Sequence, residues 1–241
     1  MSARPVGTVH PEATARPGAV KISPSMMCAD FLHLALELDI MLEQGVEYLH
    51  IDIMDGHYVP NFTLGPDFCS ALARYSPIPL DIHLMVESPD AHVPAFARIP
   101  NAVVSIHPEA AWHPLRTLDL IRSCGARAGV AIDPAMPLEA VSEILPHVSF
   151  ACVMTVNPGY AGQKLIPNTL QKVRALADLA AERGLSIEIE VDGNVSWENI
   201  PRMVEAGAQV LVAGSSSLFE KGYELRANIG RMRDQISSRR A

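Results

Sequence analysis

The fold is decided by residues 48–56, Tyr-Leu-His-Ile-Asp-Ile-Met-Asp-Gly, an apolar stretch that contains an imidazole and a carboxylate. Side chains alternate along a strand, so His50, Asp52 and Met54 share one face and the intervening aliphatic side chains share the other. Burying an imidazole and a carboxylate is unfavourable unless a metal ion, a substrate or another partner binds them. The stretch therefore predicts a buried strand whose polar face binds a ligand.

Short apolar runs alternate with helical patterns from Val20 onward, which is typical of repeated βα units. The predicted strands are residues 20–24, 48–54, 79–85, 102–106, 128–132, 149–155, 186–191 and 209–213. The first predicted helix runs from a cap at Asp30 to about residue 44, the second follows Gly65-Pro66, and the third begins near residues 88–89. The remaining predicted helices are residues 115–123, 138–145, 167–183, 197–206 and 223–237. Eight units of this size predict a single (β/α)8 TIM barrel. A doubly wound open sheet is the competing architecture, but it rarely needs eight strands in so short a chain.

Length and composition limit the domain organisation. With 241 residues and 49% hydrophobic content, the chain can form one large core, which we expect over residues 20–241 as the catalytic domain. Residues 1–19 are rich in Pro, Ala and Gly and lack the apolar segment of a signal peptide, so we expect a flexible N-terminal extension there.

Charge and cysteine content exclude several classes of partner. The net charge of −8 argues against nucleic acid and anionic membranes as main partners, and no apolar run has the length of a membrane span. The four cysteines are scattered without a Cys-x-x-Cys pair, which is typical of reduced core residues. We therefore expect a cytoplasmic protein.

Polar residues recur at the C-terminal ends of the predicted strands, where TIM-barrel enzymes hold their active sites. They are Ser25, His50, Asp52, His83, His107, Asn157, Asp192, Gly214 and Ser215. Polar core residues without a shared function would not collect at one end of so many strands. The pattern therefore predicts an active site at this end of the barrel.

Four of these residues form a candidate metal site, namely His50, Asp52, His83 and Asp192. Two imidazoles with two carboxylates suit Zn, Fe(II), Mn or Co better than the oxygen-only preference of Ca or Mg. The alternative is that the histidines are hydrogen-bonded core residues and the aspartates are caps. Asp81 shares a strand face with His83, one layer deeper, and Glu190 has the same relation to Asp192. These two carboxylates either orient the metal ligands or pair with other groups in the barrel.

Three glycine-containing segments follow the predicted strands 6, 7 and 8, where barrels often bind phosphate through backbone N–H groups. Their candidate residues are Gly159, Tyr160, Ala161, Gly162, Gly193, Gly214 and Ser215. Met27, Met54, Met85 and Met154 lie near strand ends, as packing residues or as an apolar lining. His107, Asp55 and Asp133 have no assigned role and are interpreted as turn, cap or surface residues.

The constellation suits proton abstraction next to a carbonyl. A metal ion can stabilise the resulting ene-diolate, and two opposed carboxylates, Asp52 and Asp192, can remove and return the proton from opposite faces. None of the four lysines lies at the inner C-terminal end of a predicted strand, which disfavours a Schiff-base aldolase.

Several motifs resemble the ribulose-phosphate 3-epimerase family over about residues 20–222. They are Ser23-Pro24-Ser25, residues 50–56, Val59-Pro60-Asn61, residues 83–86, residues 156–163, residues 190–193 and Ala213-Gly214-Ser215. The resemblance implies a metal-dependent epimerase that inverts C3 of a phosphorylated ketose and forms a homo-oligomer. It also implies His50, Asp52, His83 and Asp192 as metal ligands, Asp52 and Asp192 as the acid/base pair, and Ser25 and His83 as substrate contacts.

The resemblance leaves the substrate open. Residues Met27-Cys28, 154–156, Ala161-Gly162-Gln163 and 188–193 look more like the allulose 6-phosphate 3-epimerase branch, whereas Asn157 looks like the ribulose 5-phosphate branch. Two functional alternatives also remain: a non-catalytic barrel that binds a sugar phosphate, and another metal-dependent phosphosugar isomerase or lyase.

Overall fold

The framework of the protein, seen in a computed structural model that describes residues 19–237, is a barrel of eight parallel strands. The strands are β1 (Lys21–Pro24), β2 (Leu49–Met54), β3 (Leu80–Met85), β4 (Val103–Ile106), β5 (Arg127–Ile132), β6 (Phe150–Met154), β7 (Glu188–Asp192) and β8 (Val210–Ala213). Their order is β1-β8-β7-β6-β5-β4-β3-β2. The barrel closes between β1 and β2, where Ser25 forms a parallel bridge with His50 and the Tyr48 N–H donates to Ile22 O at 3.4 Å.

The helices surround the strands in chain order. They are α1 (Leu34–Glu43), α2 (Pro66–Tyr75), α3 (Val93–Phe96), α4 (Pro114–Ser123), α5 (Thr169–Glu182), α6 (Ile200–Ala206) and α7 (Leu225–Ser237). Together with the closed strand order they confirm the predicted (β/α)8 barrel and rule out the doubly wound sheet.

Two predicted helices are shorter than expected. After β5, residues 138–145 form 3-10 turns at Leu138–Val141 and Leu145–His147, because Pro146 lacks an N–H donor and disfavours a helical residue before it. After β3, a 3-10 turn at Pro89–Ala91 precedes the four residues of α3.

The predicted cap at Asp30 is also wrong. Its carboxylate accepts the Leu32 N–H at 2.9 Å and its carbonyl accepts the His33 N–H, so Asp30 closes a local turn and α1 begins only at Leu34.

The alternation predicted for β2 is confirmed. Leu49, Ile51 and Ile53 pack outward into the main core beneath the helices. Inside the barrel, the N-terminal end is filled by the buried cluster of Tyr48, Val103, Phe150 and Val210. Because side chains fill that end, the polar inner face of β2 can only meet a ligand at the C-terminal end.

Two further expectations bear on the ends and environment of the chain. Almost all of the expected extension over residues 1–19 lies outside the described residues, and the domain limits stay predictions. Among residues 19–237, no helix combines the length and apolar character that a membrane crossing requires.

Candidate active site

The four predicted metal ligands come together at the C-terminal end of the barrel. Each of His50, Asp52, His83 and Asp192 offers one ligand atom, and these atoms all lie within 4.8 Å of one another. His50 Nε2 lies 3.3 Å from Asp52 Oδ1 and 4.0 Å from Asp192 Oδ2. His83 Nδ1 lies 3.6 Å from Asp52 Oδ1 and 3.8 Å from Asp192 Oδ2.

The cluster has the properties that a divalent metal ion needs. Both imidazoles are fully buried, and His50 Nε2 and His83 Nδ1, the two atoms that face the carboxylates, have no hydrogen-bond partner among the described residues. Buried polar atoms are normally satisfied, so two such atoms beside two carboxylates indicate a place for a cation. The set of nitrogen and oxygen donors fits Zn, Fe(II), Mn or Co.

Asp81 holds the other nitrogen of His50. Its Oδ2 lies 2.7 Å from His50 Nδ1 and also accepts a hydrogen bond from the Ser23 hydroxyl at 3.0 Å. Of the two readings that the sequence left open for Asp81, the geometry matches the one in which it orients a ligand.

Glu190 is fully buried nearby, with Oε1 at 3.7 Å from His50 Nδ1. Burial, followed by the negative charge of Asp81, raises the pKa of Glu190 well above its ordinary value.

The two candidate acid/base carboxyls have contrasting environments. Burial disfavours a charge on Asp52, but His50 and His83 outweigh this effect and hold its pKa far below the ordinary value. Burial, followed by the charge of Asp52, raises the pKa of Asp192 to about 6. The Ser25 hydroxyl donates to Asp52 Oδ2 at 2.9 Å, so the predicted substrate contact also orients this carboxylate.

A cleft opens directly above the two carboxyls. Its walls include both aspartates and all but one of the predicted substrate-binding residues: Ser25, Gly159, Tyr160, Ala161, Gly162, Gly193, Gly214 and Ser215. His83, the remaining one, is fully buried. Met27, Met54, Met85 and Met154 all line the same cleft, so the apolar lining that the sequence allowed is present.

Two glycines shape the cleft wall. Gly193 has φ +109°, and a Cβ there would lie 2.5 Å from Val156 Cγ2. Gly159 has φ +119°, and its carbonyl accepts a hydrogen bond from Asn61 Nδ2 at 2.8 Å. Since side-chain-bearing residues rarely adopt such φ values, the loops after β6 and β7 depend on glycine.

One histidine at the site had no role assigned to it from the sequence. His107 was interpreted as a turn, cap or surface residue, yet it is fully buried and its Nε2 lies 2.9 Å from His83 Nε2. Its place at the end of β4 was the available signal. The same interpretation is correct for Asp55 and Asp133, whose carboxylates accept the N–H groups of His57 and Ala135 in turns.

Comparison with known proteins decides the family. The family model described as "Ribulose-phosphate 3 epimerase family" matches residues 21–219. The chain belongs to this family. The motifs that this sequence shares with the family therefore reflect true relatedness. The chain is an enzyme of the isomerase class.

Curated relatives of the ribulose-phosphate 3-epimerase family support the same assignment along most of the chain. Ribulose-phosphate 3-epimerase of Bacillus subtilis is 42% identical over 198 residues, which cover 82% of this chain and 91% of the relative. The Escherichia coli K12 protein of the same name is 40% identical over 204 residues, or 84% and 91% of the two chains.

Solved structures agree on the fold alone. KGPDC from Streptococcus mutans has a TM-score of 0.64 at 12% identity and covers 91% of this epimerase-family chain and 98% of its own. A mutant tryptophan synthase alpha-subunit from Pyrococcus furiosus has a TM-score of 0.63 at 14% identity, with 92% and 98% covered.

Proposed function

We propose that this enzyme is a divalent-metal-dependent 3-epimerase that interconverts D-ribulose 5-phosphate and D-xylulose 5-phosphate. The observation that carries the proposal is the pairing of Asp52 and Asp192 around two buried imidazole nitrogens that have no hydrogen-bond partner within residues 19–237. The curated relatives named ribulose-phosphate 3-epimerase support ribulose 5-phosphate as the substrate.

In this proposal, Asp52 and Asp192 carry the proton. They lie in the C-terminal halves of β2 and β7, which are separated on one side of the barrel by β1 and β8. Carboxyls from different strands can reach the C3 carbon from different directions. One carboxylate removes the C3 proton to give an ene-diolate, and the other carboxyl delivers a proton to the opposite face.

His50, Asp52, His83 and Asp192 would hold the divalent ion, with Zn, Fe(II), Mn and Co as the candidates. When bound, the ion supplies positive charge that stabilises the negative charge developing on the substrate oxygens. Asp81 keeps the proton of His50 on Nδ1 and thereby leaves Nε2 available for the ion.

The phosphate of the substrate would bind in the glycine loops. Gly159, Gly162, Gly193 and Gly214 line the cleft, where backbone N–H groups can bind an anion without a basic side chain. The methionine side chains on the same walls keep water away from the ene-diolate. Ser25 orients Asp52 beside the bound sugar.

D-Allulose 6-phosphate, which would give D-fructose 6-phosphate, is the second candidate substrate. Met27, Cys28 and Ala161, where the sequence looks like the allulose 6-phosphate branch, all line the cleft. Initial-rate comparison of the two ketose phosphates, at the same metal content, decides between them. A higher kcat/KM for the hexulose phosphate would overturn our assignment of the substrate.

The experiment that tests the function is metal-dependent exchange of the C3 proton. Chelator-treated protein should be inactive, and Zn, Fe(II), Mn or Co should restore both exchange with solvent deuterium and epimerisation. A barrel that only binds the phosphosugar would be stabilised by it without exchange. A different isomerase or lyase would exchange or cleave the sugar without producing the C3 epimer.

We also propose that the enzyme forms a homo-oligomer. Leu32, just before α1, is 90% exposed, and Leu36, within α1, is 61% exposed. Phe31, next to Leu32 in the chain, is 53% exposed. Neighbouring exposed apolar side chains of this size are typical of a contact surface between subunits. Light scattering after size-exclusion chromatography should give a multiple of 26.1 kDa, and a mass of one chain would contradict the proposal.

A further inference from the structure

A polar chain leads from His83 to the protein surface. His83 Nε2 lies 2.9 Å from His107 Nε2, and His107 Nδ1 lies 3.3 Å from Glu109 Oε1. Tyr58 donates its hydroxyl proton to the same Glu109 oxygen at 2.7 Å. The His107 side chain is fully buried, whereas that of Glu109 is 35% exposed, so a single buried imidazole connects a candidate metal ligand to a surface carboxylate.

The positions of the nitrogens define where the protons are. An imidazole that binds a metal offers a lone pair from one nitrogen and carries its proton on the other. His83 Nδ1 faces Asp52 and Asp192, so its Nε2 carries the proton and donates it to His107. His107 Nε2 must then accept, which leaves the proton of His107 on Nδ1, next to the Glu109 carboxylate.

We infer that His107, whose Nδ1 faces Glu109 and whose ring packs against Tyr58, is a positioning residue that fixes the tautomer and ring orientation of His83 for the divalent ion. The inference rests on the proposed metal-dependent function and adds to it a histidine outside the four candidate ligands.

Ring packing supports this role. The Tyr58 and His107 ring centroids are 4.7 Å apart at an interplanar angle of 35°, and those of His107 and His83 are 5.0 Å apart at 33°. The Tyr58 ring therefore packs against His107 on one side, and on the other side the His107 and His83 rings meet edge to edge through their Nε2 atoms. A buried ring between two others has little freedom to rotate, so it presents Nε2 to His83 in a fixed direction.

The two candidate histidine ligands differ in their partners. His50 Nδ1 faces the Asp81 carboxylate at 2.7 Å, whereas His83 Nε2 faces the neutral nitrogen of another imidazole. A carboxylate orients a histidine by its charge as well as by accepting a hydrogen bond. A neutral imidazole such as His107 can accept the His83 N–H only if its own proton is on Nδ1, the nitrogen that faces away from His83. The orientation of His83 therefore also depends on Glu109, which lies next to His107 Nδ1.

The test compares His107→Leu with His107→Gln in the full-length protein. Leucine fills the space without an acceptor, whereas the glutamine carbonyl can accept the His83 proton. The dissociation constant for Zn is measured by competition with a chromogenic chelator, and Co(II) spectra report the ligand geometry. We expect about 10–100-fold weaker metal binding in His107→Leu and near wild-type binding in His107→Gln.

The unfolding midpoint of the metal-stripped variants separates positioning from simple packing. A structural role would lower the midpoint and leave the metal affinity of the folded protein unchanged. Glu109→Ala provides a second test at a partly exposed position, in case His107→Leu does not fold. Glu87→Ala, which removes the same charge from the same surface groove, is its matched control.

Wild-type metal affinity in folded His107→Leu, or in Glu109→Ala if His107→Leu does not fold, would overturn the inference and leave the proposed function intact. Failure of the wild-type protein to bind any of the four metals would overturn both.

Discussion

Asp81 Oδ2 lies 2.7 Å from His50 Nδ1, and both side chains are fully buried at the base of the site. With Nδ1 occupied, His50 presents Nε2 to Asp52 and Asp192. Strand β2 therefore holds its histidine in one orientation through a carboxylate on the neighbouring strand β3.

Asp81→Asn should weaken divalent metal binding by about 10–100-fold, because an amide is a poorer acceptor for the His50 N–H than a carboxylate. Titration of metal-stripped protein with Zn or Co(II) measures the effect. Ser23→Ala, which removes only a hydrogen-bond donor to Asp81, should have a smaller effect. Unchanged metal affinity and turnover in Asp81→Asn would show that Asp81 does not orient His50.

Asp52→Asn and Asp192→Asn should each lower kcat by about 10²–10⁴-fold, since each removes one member of the acid/base pair. Epimerisation assays, run with the metal content of every variant measured, give the result. Asp133→Asn is a suitable control because the Asp133 carboxylate accepts the Ala135 N–H in a turn, which an amide oxygen can also do. Near wild-type turnover in Asp52→Asn or in Asp192→Asn would refute the assignment of these two residues as the acid/base pair.

Gly193→Ala should destabilise the protein by about 1–3 kcal/mol and raise the KM for the phosphosugar, because the new methyl group would meet Val156 at a strained φ. Denaturant unfolding and steady-state kinetics measure the two effects. Gly45→Ala is the matched control, since Gly45 also has a positive φ but has open space around it. Equal destabilisation without a change in KM would argue against a special role of the loop after β7.

Much of the fold and the candidate site could be predicted from the sequence because both depend on alternation along strands. His50 and Asp52 share a face by chain geometry, and parallel strands bring their C-terminal ends to one rim. The role of His107 could not be predicted, although its position at a strand end could, because that role depends on the ring of His83 across the β3–β4 pair, which no local pattern records.

The helices after β3 and β5 were overestimated for a related reason. Apolar spacing at residues 138–145 suits a helix, but Pro146 stops it and the buried side chains Val141 and Leu145 are placed by 3-10 turns instead. Packing against the barrel does not require a regular helix in each unit.

Glu188 should contribute stability that disappears in acid. Its carboxylate lies 2.5 Å from Lys21 Nζ and 2.7 Å from Arg127 Nη2 at the N-terminal end of the barrel. Burial opposes its charge, but the Lys21 hydrogen bond and the Arg127 charge outweigh it and lower its pKa.

A carboxylate whose pKa is lower in the folded state stabilises the protein at pH values above its unfolded-state pKa. This stabilisation is lost as the pH falls through the folded-state pKa. Glu188→Gln should therefore reduce the free energy of unfolding by about 1–3 kcal/mol at pH 7. The gap to wild type should narrow below about pH 4. Urea unfolding at both pH values measures it, and a gap that stays constant with pH would contradict the ion-pair account.

The isotope content of the first product formed in D2O shows whether two carboxyls move the proton on opposite faces of C3. With metal-loaded wild-type enzyme and ribulose 5-phosphate, newly formed xylulose 5-phosphate should carry deuterium at C3. The unreacted substrate should still carry protium at early times. Product that retains the substrate's protium at C3 would rule out the two-carboxyl mechanism, because one group would then have carried the same proton from one face to the other.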